Sequence, residues 1–135
     1  MLIEGNPIVL FGEAWLVIQS ILPYYEVMAM RQNYKPPFSK FVKKAHKPLQ
    51  LAIADATEDV CENPNIGEAK TGDLAGIWVY KFRFSRQEYL MAYRPPPMEA
   101  QRSGIEVELL MIDFYQIGSH ENFYDELKRY LKAEE

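Results

Sequence analysis

The segment from Ile77 to Phe84 leaves the backbone little choice. Trp78, Tyr80, Phe82 and Phe84 alternate with Ile77, Val79, Lys81 and Arg83, and a period of two is the pattern of an extended strand with unlike faces. Aromatic and β-branched side chains favour the same backbone. One face of this strand is aromatic and needs cover from the rest of the chain, while the other ends in two cations. The polar Ser85-Arg86 turn leads to a second strand, Glu88 to Tyr93, and so short a link makes a hairpin.

The cover is written upstream. Phe38, Phe41, Val42 and Ala45 recur at helical spacing behind Pro36-Pro37, with lysines on the opposite side, as in an amphipathic helix. Pro48 ends that helix or opens a second one, in which Leu49, Ile53, Ala56 and Val60 make the buried stripe until Asn63-Pro64. The two form a helical hairpin. Before it, Tyr25 to Met30 alternates as a first strand would. Beyond Pro95-Pro96-Pro97 and a polar loop to Gly104, the segment from Ile105 to Gln116 is a long apolar strand broken by Gly118. Ser119 can then cap a last helix carrying Phe123, Leu127, Tyr130 and Leu131 on one side, with Lys128, Arg129 and Lys132 toward its C-terminus. The order strand, helix, helix, three strands, helix predicts an α+β fold, with the helical hairpin and the C-terminal helix packed on a mainly antiparallel four-stranded sheet.

At 135 residues the chain fits one domain with a real core and needs no disulfide or structural metal. The lone Cys61 sits among acids that would raise its pKa, which favours neither a disulfide nor a nucleophile. His46 and His120 are the only histidines and lie far apart, so no metal or cofactor is expected. No Gly-rich phosphate loop and no Gly-x-Ser-x-Gly elbow occurs. Residues 1–23 read as an apolar, helical extension and 24–135 as the folded domain. The apolar stretch contains Glu13 and Gln19, ends at Pro23 and is too short to span a bilayer. It also lacks the basic leader of a secretory signal, so a cytoplasmic protein is expected.

The formal charge of −4 argues against a polyanionic partner, but its distribution does not. Arg31, Lys35, Lys40, Lys43, Lys44 and Lys47 occur with no acid among them, and Asp55, Glu58, Asp59 and Glu62 follow with no base. Lys81, Arg83, Arg86 and Arg94 cluster around a single acid, Glu88. Segregation of this kind makes a local cationic field on a net acidic protein. Lysines on a helix also serve simply as a solvated face.

From about Phe41 onward the chain resembles the RelE/ParE toxins. The residues that carry the resemblance are the helical hairpin, the strand Gly76-Ile-Trp-Val-Tyr-Lys-Phe-Arg-Phe, the hairpin into Arg86-Gln-Glu-Tyr-Leu-Met-Ala-Tyr-Arg94, and Ile117-Gly-Ser-His-Glu-Asn-Phe-Tyr124 at the end of the last strand. The resemblance implies a toxin of a type II toxin–antitoxin system. In the RNA-cleaving branch it implies a ribosome-dependent mRNA interferase, in which the ribose 2′-hydroxyl attacks the adjacent phosphate without a metal. Because the nucleophile belongs to the substrate, the protein need only orient it, move protons and stabilise charge.

By position, Lys81 and Arg83 match the family's two basic active-site residues: Lys81 as an electrostatic clamp or a base, Arg83 as a phosphate fork. Exposed cations on a strand also keep an edge soluble. Arg86 can hold a neighbouring phosphate, and Lys40, Lys43, Lys44 and Lys47 are candidate RNA-binding residues. His120 can protonate the leaving 5′-oxygen, since imidazole titrates near neutrality, or simply sit at the surface. Tyr124 can stack on a base, donate a proton or pack in the core. Leu90 departs from the pattern, because RNA-cleaving members often carry an arginine there.

Three readings stay open: an RNase, a ParE-like inhibitor of DNA gyrase that does no RNA chemistry, and an inactive member kept as an interaction module. The resemblance implies a cognate antitoxin as partner, with mRNA on the ribosome, or gyrase, as target. A homodimer or a toxin–antitoxin hetero-oligomer is expected.

Overall fold

The computed structural model describes residues 31–97 and 110–134. Strand β1 (Arg31–Tyr34) is followed by helices α1 (Pro36–Lys44) and α2 (Lys47–Glu62), then by the two-residue strand β2 (Glu68–Ala69) and a 3-10 turn at Gly72–Leu74. The hairpin β3 (Trp78–Phe84) and β4 (Gln87–Arg94), strand β5 (Met111–Gly118) and helix α3 (Phe123–Glu134) complete it. The strands form one sheet in the order β1-β5-β4-β3-β2. β1 lies parallel to β5, and the other pairs are antiparallel.

The sheet has two unlike layers. Phe38 and Val42 of α1 and Leu49, Ile53, Ala56 and Val60 of α2 are buried against Met91, Tyr93, Ile112, Phe114 and Ile117. Trp78, Tyr80, Phe82 and Phe84 pack against the same layer, so the aromatic row of the alternating segment meets the helical hairpin. Fully burying a Phe or Ile side chain stabilises by about 1.5–3 kcal/mol, and this larger core holds most such groups. On the other face Val79, Leu90, Ala92 and Tyr115 pack with Phe123 and Leu127 of α3. A bulge at Ala92/Tyr93 steps the β4–β5 pairing from Gln116 to Phe114. The extra residue, Tyr115, thereby joins the α3 layer.

The helix starts follow the prolines, which carry no donor to lose in a first turn. At the exit of α2, the Tyr93 hydroxyl donates to the Pro64 carbonyl (2.7 Å) and accepts the Gly67 N–H (3.0 Å). A Cβ at Gly67 would come within 2.8 Å of the Val79 carbonyl oxygen and 2.9 Å of the Tyr93 hydroxyl, so only glycine lets the chain pass here. The knot lays β2 alongside β3.

The architecture is the expected α+β fold, with differences. The sheet has five strands where four are read from sequence: β1 falls at Arg31–Tyr34, where no strand is expected, and β2 is two exposed residues, Glu and Ala, with no apolar alternation to reveal it. The last helix starts at Phe123, not after a Ser119 cap. Asn122 adopts a left-handed φ of 62° and its carbonyl accepts the Glu126 N–H at 3.0 Å, while the Gln116 side-chain amide donates to the Phe123 carbonyl at 2.8 Å. Asparagine tolerates that backbone, and the later start lets Phe123 turn into the core. The last strand runs to Gly118, two residues past its expected end; its expected start at Ile105, the strand expected over Tyr25 to Met30 and the extension 1–23 lie outside the described residues.

Cys61 is buried, and burial first, then the Glu58 charge, pushes its thiol up. The Gln32 side-chain amide donates to its sulfur at 3.1 Å. Among the described residues no helix is long and apolar enough to cross a membrane.

Candidate functional site

Register places the charged residues. Residues directly opposite one another on paired strands share a face. Glu68 pairs with Val79, Lys81 with Leu90, and Arg83 with Glu88. Val79 and Leu90 belong to the α3 layer, so Glu68, Lys81, Arg83 and Glu88 all point to the α3 side. Lys81 and Arg83 are exposed there, beyond the part of the sheet that α3 covers.

The chain that turns from β5 into α3 brings the other candidates to the same place. His120 Nε2 lies 3.9 Å from Glu88 Oε1, and the His120 ring meets Tyr124 edge-on at 6.2 Å between centroids. Lys70 Nζ sits 5.2 Å from the centre of the Tyr124 ring and 3.0 Å from Glu68 Oε1. The contacts thus run Glu68, Lys70, Tyr124, His120, Glu88, with Arg83 opposite Glu88 in the strand register and Lys81 on the strand between. The hydrogen bond from Lys70 holds the Glu68 carboxyl below its ordinary value, and the Lys81 charge acts in the same direction. The same pair holds the Lys70 ammonium up, chiefly through its hydrogen bond to Glu68.

The tip of the β3–β4 hairpin is strained. Ser85 and Arg86 have φ of 54° and 68°, the left-handed pair of a two-residue turn that glycine and asparagine usually supply. Arg83 Nη2 donates to the Arg86 carbonyl at 3.3 Å, which holds the guanidinium toward the tip. The Arg86 side chain is exposed.

Lys81, Arg83, His120 and Tyr124, four separate candidates in the sequence, therefore meet on one surface. Lys40, Lys43 and Lys44 do not join them. They are exposed on α1, whose buried face packs on the opposite side of the sheet, and Lys47 opens α2 in the same layer. Leu90 is fully buried under Phe123 and Leu127, so this position contributes core and not charge. Sequence reasoning missed Glu68, Lys70 and Glu88. Glu88 was within reach, because a two-residue turn at Ser85-Arg86 sets it opposite Arg83. Glu68 and Lys70 depend on the two-residue β2 and gave no signal.

What the surface can do follows from its groups: two cations to hold a phosphate, a histidine beside a carboxylate to transfer a proton, and a half-buried tyrosine to stack or donate. Among the described residues no group of His, Cys, Asp and Glu side chains is arranged to hold a metal ion.

No curated protein and no solved structure matches the chain. A family model does, that of the ParE-like toxin of type II bacterial toxin–antitoxin systems, over residues 33–128. That span runs from β1 into α3 and takes in every residue of the site, so the chain belongs to the ParE-like toxins of type II bacterial toxin–antitoxin systems.

Proposed function

We propose that this toxin cleaves messenger RNA at the ribosome, by attack of a ribose 2′-hydroxyl on the adjacent phosphate. The observation that carries the reading is the convergence of Lys81, Arg83, His120 and Tyr124 on one face. Lys81 and Arg83 would bind the non-bridging oxygens and stabilise the charge that grows on them. His120, with its Nε2 3.9 Å from the Glu88 carboxylate, would protonate the 5′-oxygen as the P–O5′ bond breaks. Glu68, across β3 from the His120 side and kept ionised by its bond from Lys70, would take the 2′-hydroxyl proton, and base and acid on opposite sides would suit an in-line displacement. Tyr124 would stack on an adjacent base. The products would be a 2′,3′-cyclic phosphate and a 5′-hydroxyl.

Membership of a type II system implies a cognate antitoxin. Lys40, Lys43, Lys44 and Lys47, on the far layer, would then grip ribosomal RNA and not the scissile strand, since they cannot reach the phosphate held by Lys81. The chain would act in the cytoplasm, with residues 24–135 as the toxin domain and 1–23 as an appendage.

The second reading, a gyrase inhibitor, is favoured by Leu90, whose burial removes a cation that RNA cleavage would use. Growth arrest on induced expression, with cellular messages mapped by primer extension, separates the two. RNase action predicts codon-positioned breaks that fall by about 10²–10³ in rate for Lys81→Ala or Arg83→Ala and by about 10²–10⁴ for His120→Ala. Arrest without breaks, unchanged by these substitutions, would establish the inhibitor instead.

A further inference from the structure

We infer that an open basic cleft along the flank of α3 carries the RNA strand away from the cleavage site and grips phosphates beyond the one that is cut. This rests on the RNA-cleaving reading. The cleft has a volume of about 480 Å³ and is lined by Asp73, Lys128, Arg129, Leu131 and Lys132.

Both of its walls lead out of the candidate site. On α3, Lys128 follows Tyr124 by four residues and Lys132 follows Lys128 by four, so the three share a flank. At 1.5 Å of rise per residue the two lysines stand about 6 Å apart along the axis, a spacing that suits successive phosphates of an extended single strand. The other wall is the 3-10 turn, where Asp73 comes three residues after Lys70, whose ammonium lies over the Tyr124 ring. A strand whose base stacks on Tyr124 thus meets a cationic path within one helical turn.

The cations are available to it. Among the described residues Lys128, Arg129 and Lys132 form no ion pair. Compensation of the helix dipole accounts for Lys132, in the last turn, but not for Lys128 or Arg129. Asp73 is the acid of the lining, and three cations outweigh it. An acidic peptide that folds on binding would bring apolar anchors at helical spacing, for which this lining offers Leu131 alone. The surface therefore fits a polyanion whose charge lies on its backbone.

The test compares the chain with its Lys128→Gln/Lys132→Gln form, both carrying His120→Ala so that RNA is bound and not cut. Fluorescence anisotropy with a labelled uridine-rich single strand follows affinity across salt concentrations, and circular dichroism confirms the fold. Losing two phosphate contacts lowers the slope of log K against log salt by about 1.4 and weakens binding by about tenfold at moderate salt. A Lys128→Arg/Lys132→Arg form keeps both. An unchanged slope in the glutamine form overturns the inference, as does an equal loss in the arginine form, or a loss of polyglutamate binding with RNA binding intact. With His120 restored, cleavage of a ribosome-bound message by the parent chain checks the underlying reading separately: cutting with an unchanged slope sinks the track alone, and a lowered slope without cutting sinks the cleavage reading and keeps the track.

Discussion

Tyr93 shows how one residue carries both stability and site geometry. Its hydroxyl is the partner of the Pro64 carbonyl and the Gly67 N–H. Tyr93→Phe therefore leaves two backbone groups short of a partner and should cost about 1–3 kcal/mol in urea unfolding. Burial pushes the phenols of Tyr93 and Tyr80 up to about 12, with the Asp59 carboxylate adding to the effect at Tyr80. For an acid with a raised folded value, the unfolded chain ionises first, near pH 10, while the folded chain stays neutral. Stability is therefore present below pH 10 and lost as the pH rises toward 12. Thermal melts across that window should show the fall, with a shallower slope in Tyr93→Phe; melts independent of pH there would contradict it. At the site, Glu88→Gln removes the carboxylate beside His120 while keeping the shape. It should slow cleavage of a ribosome-bound message, which single-turnover rates read directly; an unchanged rate would show that the carboxylate beside His120 plays no part.

At the scale of elements, the β3–β4 turn exchanges stability for position. Two side chains in left-handed backbone cost roughly 1–2 kcal/mol each in strain. Ser85→Asn/Arg86→Gly should raise the melting temperature and, if Arg86 touches RNA, weaken binding; an unchanged or lower melting temperature would show the turn to be relaxed. Helix α3 sets the other limit, because Phe123 and Leu127 cover Leu90. Restoring a cation by Leu90→Arg should destabilise by about 3 kcal/mol and not improve activity. This is also where legibility in the sequence divides. The period of two in Trp78 to Phe84 and the helical stripes of Phe38 to Val60 announce β3, α1 and α2, because each buries one face. Nothing announces β2, which buries neither of its residues, or the delayed start of α3, which is set by Phe123 fitting a core that a linear pattern does not contain.

At the scale of the molecule, the sheet separates two basic regions that look alike in the sequence. Lys81 and Arg83 face α3, and the lysines of α1 lie across the sheet from them. Alternation showed that Lys81 and Arg83 share a face, and the likeness to known toxins singled out His120 and Tyr124. That these four lie together, joined by Glu68, Lys70 and Glu88, depends on the strand order β5-β4-β3-β2 and on the turn into α3, which are long-range facts. The separation predicts different consequences for the two groups: Lys43→Ala/Lys44→Ala should weaken association with ribosomes in sedimentation while leaving any cut at the same codon position, and Lys81→Ala should slow the cut by about 10²–10³ while leaving association intact.

The most direct test of the account is the chemistry of the ends it predicts. Purified toxin, freed from its antitoxin, is mixed with ribosomes programmed with a defined message, and the upstream fragment is analysed by mass spectrometry. Attack by the 2′-hydroxyl predicts a 2′,3′-cyclic phosphate on that fragment and a 5′-hydroxyl on the other, both missing with His120→Ala. An intact message, together with gyrase stalled on cleaved DNA, would contradict it.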